Sequence, residues 1–239
     1  MKLWKLSALT LAAAFASGMA GTAKTNVTAG TAKIEGRAAS ISSAGGGTNV
    51  IATRQSPAVV YRLDAARSKF IVRAFAGGAL WFKGHDHFVA AREFTGEARL
   101  TPGSVSPASL TLAVRAASLA ETRDVFTEQQ KKIIDGELRD IVLEPARYPE
   151  ITFRSTDASA EVRGGVFKVN LTGDLSLHGV TRRVSIPAEV TLDGQDLHAR
   201  GEFEIKRSDY NVKATSAFHG TVRIRNRLKV IFDIVAQKV

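Results

Sequence analysis

From residue 59 onward, apolar and polar residues alternate one for one over long runs. Side chains on a strand point to opposite faces in turn, so this period of two specifies strands with one apolar and one polar face. In SKFIVRAF, Phe70, Val72 and Ala74 share a face; in SLTLAVRAASL, Leu110, Leu112, Val114 and Ala116 do. GVFKVNLTGDLSLHG places Phe167, Val169, Leu171, Leu175 and Leu177 on one side. RVSIPAEVTLDG, LHARGEFEIKRSDY (with Phe203 and Ile205) and TVRIRNRLKVIFDIVAQ repeat the scheme. The runs are separated by short turns, such as Asp193-Gly194 and Arg163-Gly164-Gly165, as in an antiparallel meander. A long antiparallel sheet protects its edges best by closing on itself. The expected fold is therefore all-β: an antiparallel eight-stranded barrel, the size whose interior side chains fill or that holds one small ligand.

One segment breaks the period. TEQQKKIIDGELRDIVLE carries Ile133, Ile134, Leu138, Ile141 and Val142 at helical spacing. Thr127 with Gln130 forms a capping-box pattern, and Pro145 and Pro149 stop the run. A single helix near 127–142, packed over one end of the barrel, is expected.

The N-terminus resembles a secretory signal. Lys2 and Lys5 precede an apolar run at 6–16, too short to span a bilayer, and Gly18-Met19-Ala20 offers a small-residue cleavage site. Residues 1–20 are read as a signal peptide and 21–57, rich in Ala, Gly, Ser and Thr, as a flexible leader. The barrel domain then occupies 58–239, and the expected location is periplasmic or secreted. Cysteine is absent, which excludes disulfides, thiolate-held zinc and a thiol nucleophile.

The formal charge of +10 falls to +8 once Lys2 and Lys5 leave with the signal. The basic residues are spread through the strands rather than gathered in a run. With an export signal this argues against nucleic acid and leaves an anionic membrane surface as a candidate partner.

The second half resembles the YceI-like family of exported, lipocalin-like barrels that bind polyisoprenoids. The resemblance rests on YPEITF (148–153), GDLSLHGVTR (173–182) and RSDY (207–210), with YRLDAARSKF (61–70) opening the domain and FTGEARL and AASL following in order. It covers roughly residues 58–239. It implies a barrel around an apolar cavity that holds an isoprenoid chain such as a quinone or prenyl-phosphate tail. The expected walls are Phe70, Val72, Trp81, Phe82, Phe88, Leu112, Val114, Phe153, Phe167, Val169, Leu171, Leu175 and Phe203. Burying about 500 Å² of tail would contribute on the order of 12 kcal/mol, at ~25 cal/mol per Å². The cost of ordering the tail cancels much of that.

WFKGHDHF (81–88) departs from the family pattern, since GHDHF stands where many members carry only a Gly and an apolar residue. His85, Asp86 and His87 are expected to form a polar rim at one end of the cavity, with Asp86 favouring protonated imidazoles if it lies close. The alternative is a metal or enzymatic site using His85 and His87, which would need a further ligand from across the barrel. Of the other histidines, His178 and His198 are expected on polar strand faces, His178 serving its turn, and His219 in a solvated loop. In RSDYNV, Asn211 stands at a turn position that needs positive φ, which Asn tolerates.

No Gly-x-Ser-x-Gly elbow, phosphate-cradling loop or His-Glu-x-x-His is present. The chain is therefore read as a binding protein, not an enzyme, needing no cofactor and no metal. The expected ligand is a polyisoprenoid lipid or quinone, and the expected state is a monomer or homodimer. A third reading, an extracytoplasmic stress or adhesion factor, would act through the basic surface.

Overall fold

A computed structural model describes residues 58–101, 104–217 and 219–239. The expectations for the signal peptide and the leader lie outside the described residues.

The strands are β1 Val59–Leu63, β2 Lys69–Gly77, β3 His87–Ala91, β4 Phe94–Thr101, β5 Ser104–Arg115 and β6 Leu119–Glu121, followed by β7 Glu150–Arg163, β8 Val166–Leu177, β9 Val180–Asp193, β10 Asp196–Lys206, β11 Ser216–Ala217 and β12 Val222–Lys238. Register reduces them to eight long staves. β1 and β2 lie end to end along one edge of β12, at Tyr61↔Lys238 and Asp233↔Lys69. β3 and β4 continue one another against them, at Val72↔Val89 and Tyr61↔Ala98. β5 and β6 do the same in turn, at Gly96↔Leu112 and Ala90↔Ala120. β7, β8, β9, β10 and β12 complete the meander, and β12 pairs back onto β1 and β2. The result is the expected closed antiparallel eight-stranded barrel with a single helix.

The breaks in the first three staves are not visible in the alternation, and side chains bridge the first and the third. Between β1 and β2, Asp64 Oδ1 accepts from the Ala66 and Arg67 amides. Buried Ser68 then donates its hydroxyl to the Val235 carbonyl and accepts from the Val235 amide, replacing two ladder bonds. At the third stave, buried Ser118 donates to the Arg115 carbonyl and accepts from the Glu93 amide. A buried backbone polar group left unpaired would cost about as much as a lost hydrogen bond, and the two serines remove that cost.

Two glycines let aromatic rings lie flat against the wall. A Cβ on Gly173 would stand 2.4 Å from the Arg154 carbonyl oxygen and 2.6 Å from the Phe153 ring. On Gly201 it would stand 2.3 Å from the Pro187 carbonyl oxygen and 2.7 Å from the Phe232 ring. Phe153 and Phe232 are both buried in the core. Asn211 takes φ 56°, as its turn requires.

The helix α1 spans Glu128–Glu137, and both halves of the capping box form: the Gln130 amide donates to Thr127 Oγ1 and the Thr127 amide to Gln130 Oε1. It runs on as a turn of π-helix, Leu138–Leu143, and ends at Glu144, which takes a left-handed conformation before Pro145. Ile134, Leu138 and Val142, four residues apart, face the barrel, whereas Ile133 and Ile141 point outward. Asp135 pins the helix to β6 by accepting from the Glu121 amide at 2.8 Å.

Candidate functional site

The inward faces enclose a cavity of ≈ 300 Å³. That lies at the lower end of the range for ligand pockets. Phe70, Val72, Leu112, Val114, Phe153, Val169, Leu171, Leu175 and Phe203 all lie on its wall, where the alternation put them. Ile134, Leu138, Val142 and Leu143 close it from the helix side.

Four residues expected on the wall are elsewhere. Phe167 packs against the core near the 163–166 turn without lining the cavity, although its cross-strand partner Val190 does line it. Trp81 and Phe82 ride on a short 3-10 turn, Trp81–Lys83, that swings outward between β2 and β3, leaving them 55% and 63% exposed. Phe88 falls on the outer face of β3, because its neighbours His87 and Val89 take the inner one. Its ring lies beneath the guanidinium groups of Arg73 and Arg123, each 5.4 Å from the centroid.

The expected histidine rim is reduced to one member. His87 reaches the cavity; His85 is exposed, its ring edge-on to Phe126 at 5.7 Å. Asp86 turns away. Its carboxylate accepts from the Arg73 guanidinium at 2.8 and 3.1 Å and from the Ala76 amide at 3.0 Å. Burial works to raise its pKa, but these partners outweigh it and hold Asp86 below the usual carboxylate value. Asp86 is thus committed to Arg73 and does not serve the imidazoles.

The partner of His87 is Glu121. His87 Nδ1 lies 2.7 Å from Glu121 Oε2, and the Phe126 ring stacks on the imidazole at 5.2 Å. The Glu121 side chain is wholly buried, and its other oxygen accepts from the amides of Phe88, Thr122 and Arg123. Burial alone would raise its pKa; the bond to His87 and the Arg123 and Phe88 amides bring it below the ordinary value. Glu137, on the last turn of α1, also lines the cavity and has no such donor among the described residues; burial pushes its carboxyl up against the opposing pull of His87.

Arg207, Lys213 and Thr215 complete the polar lining at this end of the barrel; Arg99 and Ser109, paired near the β4–β5 turn, are the other polar members. Arg207 Nη1 donates to the Val212 carbonyl, while its Nε is buried without a partner. A long apolar chamber with imidazole, carboxyl, guanidinium and ammonium groups at one end can hold a tail and hydrogen-bond a headgroup. Among the described residues no group of three or more His, Asp or Glu is placed to hold a metal ion.

His178 is buried rather than on a solvated strand face. Its Nε2 lies 2.8 Å from Glu144 Oε2 and its ring 4.2 Å from that of Tyr148. It shares a tight turn with Gly179 in which both residues have positive φ, the backbone a two-residue hairpin prefers.

Sequence reasoning missed Glu121, Glu137 and Lys213. RSDY was a legible motif, but nothing in it showed that Arg207 lines the cavity.

A family model described as a YceI-like domain matches residues 61–236. Among curated proteins, a UPF0312 protein of Vibrio parahaemolyticus is 31% identical over 103 residues, 43% of this chain and 49% of that protein. The YceI protein of an Escherichia coli strain is 34% identical over 93 residues, 36% of this chain and 44% of that protein. The matched stretch thus spans about half the length of these relatives. Among solved structures, BcnA of Burkholderia cenocepacia aligns over 73% of this chain and 99% of its own, with TM-score 0.57 and 22% identity. A polyisoprenoid-binding domain from Saccharophagus degradans aligns over 75% and 98%, with TM-score 0.51 and 14% identity. At these identities the likeness is one of fold.

Proposed function

Because this chain belongs to the YceI-like family, we propose that its barrel holds the chain of a polyisoprenoid lipid or quinone and serves as an exported carrier, store or sequestrant rather than as an enzyme. The observation that carries the reading is the cavity itself: side chains such as Val72, Leu112, Leu171 and Phe203 wall it on all sides, with polar groups gathered mainly at one end. An apolar tail gains by leaving water for such walls without needing a specific polar contact. A structural relative named as a polyisoprenoid-binding domain supports the choice of tail. The basic, apolar and small-residue order of residues 1–20 supports export.

The experiment is organic extraction of the purified protein followed by mass spectrometry, beside an Ala188→Phe variant. Ala188 is buried on the cavity wall, so the added ring occupies the tail's space. The parent yields an isoprenoid and the folded variant yields little. A parent that repeatedly yields no lipid and takes up no added quinone overturns the reading. Export is checked separately by N-terminal sequencing of protein from the periplasm, which should begin near residue 21.

A further inference from the structure

Five of the seven large hydrophobic residues most exposed among the described residues lie at the helix end of the barrel: Trp81, Phe82, Val125, Ile133 and Ile141. Trp81 and Phe82 are the most prominent, their rings 6.4 Å apart on the turn between β2 and β3. That turn is rigidly seated. The Leu80 amide donates to the Thr221 carbonyl, the Gly84 amide to the Trp81 carbonyl, and Gly84 packs against Val222. Adjacent bulky aromatics left more than half exposed give the fold only part of what their burial could contribute.

The cations around this turn have no ion-pair partner among the described residues, although Arg225 Nε donates to the Ala76 carbonyl. Lys83 follows Phe82 on the same turn. Gly77 and Gly78 lie against the side chains of Arg225 and Arg223. Lys213 lies close by, because Thr215 accepts from the Ile224 amide and Ser216 pairs with Arg223. None of Lys83, Lys213, Arg223 and Arg225 has a carboxylate within ion-pair distance among the described residues. Along the barrel wall Lys168, Arg183, Arg200, Arg227 and Lys229 each meet one, whereas Arg62, Lys69 and Arg154 form no ion pair among the described residues; what sets the turn apart is that its cations flank exposed aromatic rings. Asp86, the acid nearest in sequence to Trp81, is bound to Arg73.

We propose that this end of the barrel docks on an anionic lipid bilayer, with Trp81 and Phe82 entering the headgroup region and the unpaired cations facing its phosphates. Tryptophan favours that boundary, where its indole ring is apolar and its N–H is wet, and phenylalanine serves there as an apolar anchor. Each basic residue near an anionic leaflet adds about 1 kcal/mol of attraction. The polar end of the cavity, with His87, Glu137 and Arg207, is on the same end of the barrel, so docking would set the chamber against the membrane from which a lipid comes. That purpose rests on the lipid-carrier reading; the surface does not.

The test is co-sedimentation of the full chain with vesicles of phosphatidylcholine, with and without phosphatidylglycerol. The parent should bind the anionic vesicles and release on raising salt, as screening requires. Trp81→Ala with Phe82→Ala should lower the partition at least tenfold. Lys83→Ser with Arg223→Ser should lower it about 25-fold, fivefold per cation at ~1 kcal/mol each. With Trp4→Phe, Trp81 is the sole tryptophan, and brominated lipid should quench its emission. Uptake of isoprenoid from detergent, measured in parallel, should be unchanged in both double variants, so loss of docking is separable from loss of ligand binding. The proposal is overturned if the parent ignores anionic vesicles, or if both double variants bind like the parent, which would assign the binding to the basic residues of 1–57. It is equally overturned if Trp81 and Phe82 prove to hold two copies of the chain together in solution.

Discussion

His87 Nδ1 sits 2.7 Å from Glu121 Oε2, and this contact joins the inner face of β3 to a carboxylate with no exposure to solvent. Glu121 is held ionised by its donors despite burial, so its native pKa lies below the ordinary 4.5. A depressed native value means that the carboxylate's contribution to stability is complete above the ordinary value and is lost as the pH falls through the depressed one. Urea unfolding across the acid range should show that loss. Glu121→Gln should cost roughly 1–3 kcal/mol at neutral pH, because an amide cannot accept as many donors, and should flatten the acid limb. Parallel limbs in parent and variant would rule out this role.

Glu137 should behave in the opposite sense. Its native pKa is raised by burial, so the folded state favours the protonated carboxyl. The stability associated with that proton is present at low pH and is lost as the pH rises through the raised native value. Glu137→Gln should therefore be at least as stable as the parent at neutral pH, with the gain vanishing in acid. Thermal melts at paired pH values decide it.

Thr127→Ala should destabilise the helical lid by about 1 kcal/mol, the usual worth of an N-cap. The Gln130 amide loses its acceptor with the hydroxyl, while the residue 127 amide can still donate to Gln130 Oε1. Amide exchange confined to 128–143 should report the change more clearly than global unfolding. Uniform acceleration across the barrel would show that the helix is not a separately opening unit.

Gly173→Ala and Gly201→Ala should each cost about 1–3 kcal/mol or more, the range for overpacking a close-packed interior. In both, the new methyl would meet a carbonyl oxygen of the neighbouring stave that cannot retreat without breaking the ladder. Denaturant midpoints are the measurement. A cost near zero would mean the staves separate more easily than their pairing implies.

The fold was legible because alternation and turn chemistry are local. Val169 and Leu171 declare their face through their own neighbours, and Thr127 and Gln130 declare a helix start across three positions. The site was legible only where it consisted of such faces. HDH carried the signal of a polar rim, yet its aspartate belongs to Arg73 and its second histidine to Glu121, 34 residues away. Those pairings depend on how β3 registers with β2 and with β6, and no spacing in the chain encodes it. Trp81 and Phe82 looked like wall residues by type; the outward swing of one short turn decides otherwise. Phe167 packs against the core without lining the cavity that its partner Val190 lines, because alternation gives direction and not reach.

The 17-residue strand β12 bonds to β10 on one edge and to both β1 and β2 on the other. It is the keystone of the ring. A chain still lacking it presents two raw sheet edges some 130 residues apart, each a template for pairing with any other strand. Sealing the ring is therefore the last topological event of folding, with contacts such as Tyr61↔Lys238 among the most distant in the sequence. Such closure is slow by nature. Whatever handles the newly made chain must keep those edges apart from other chains until the final strand arrives.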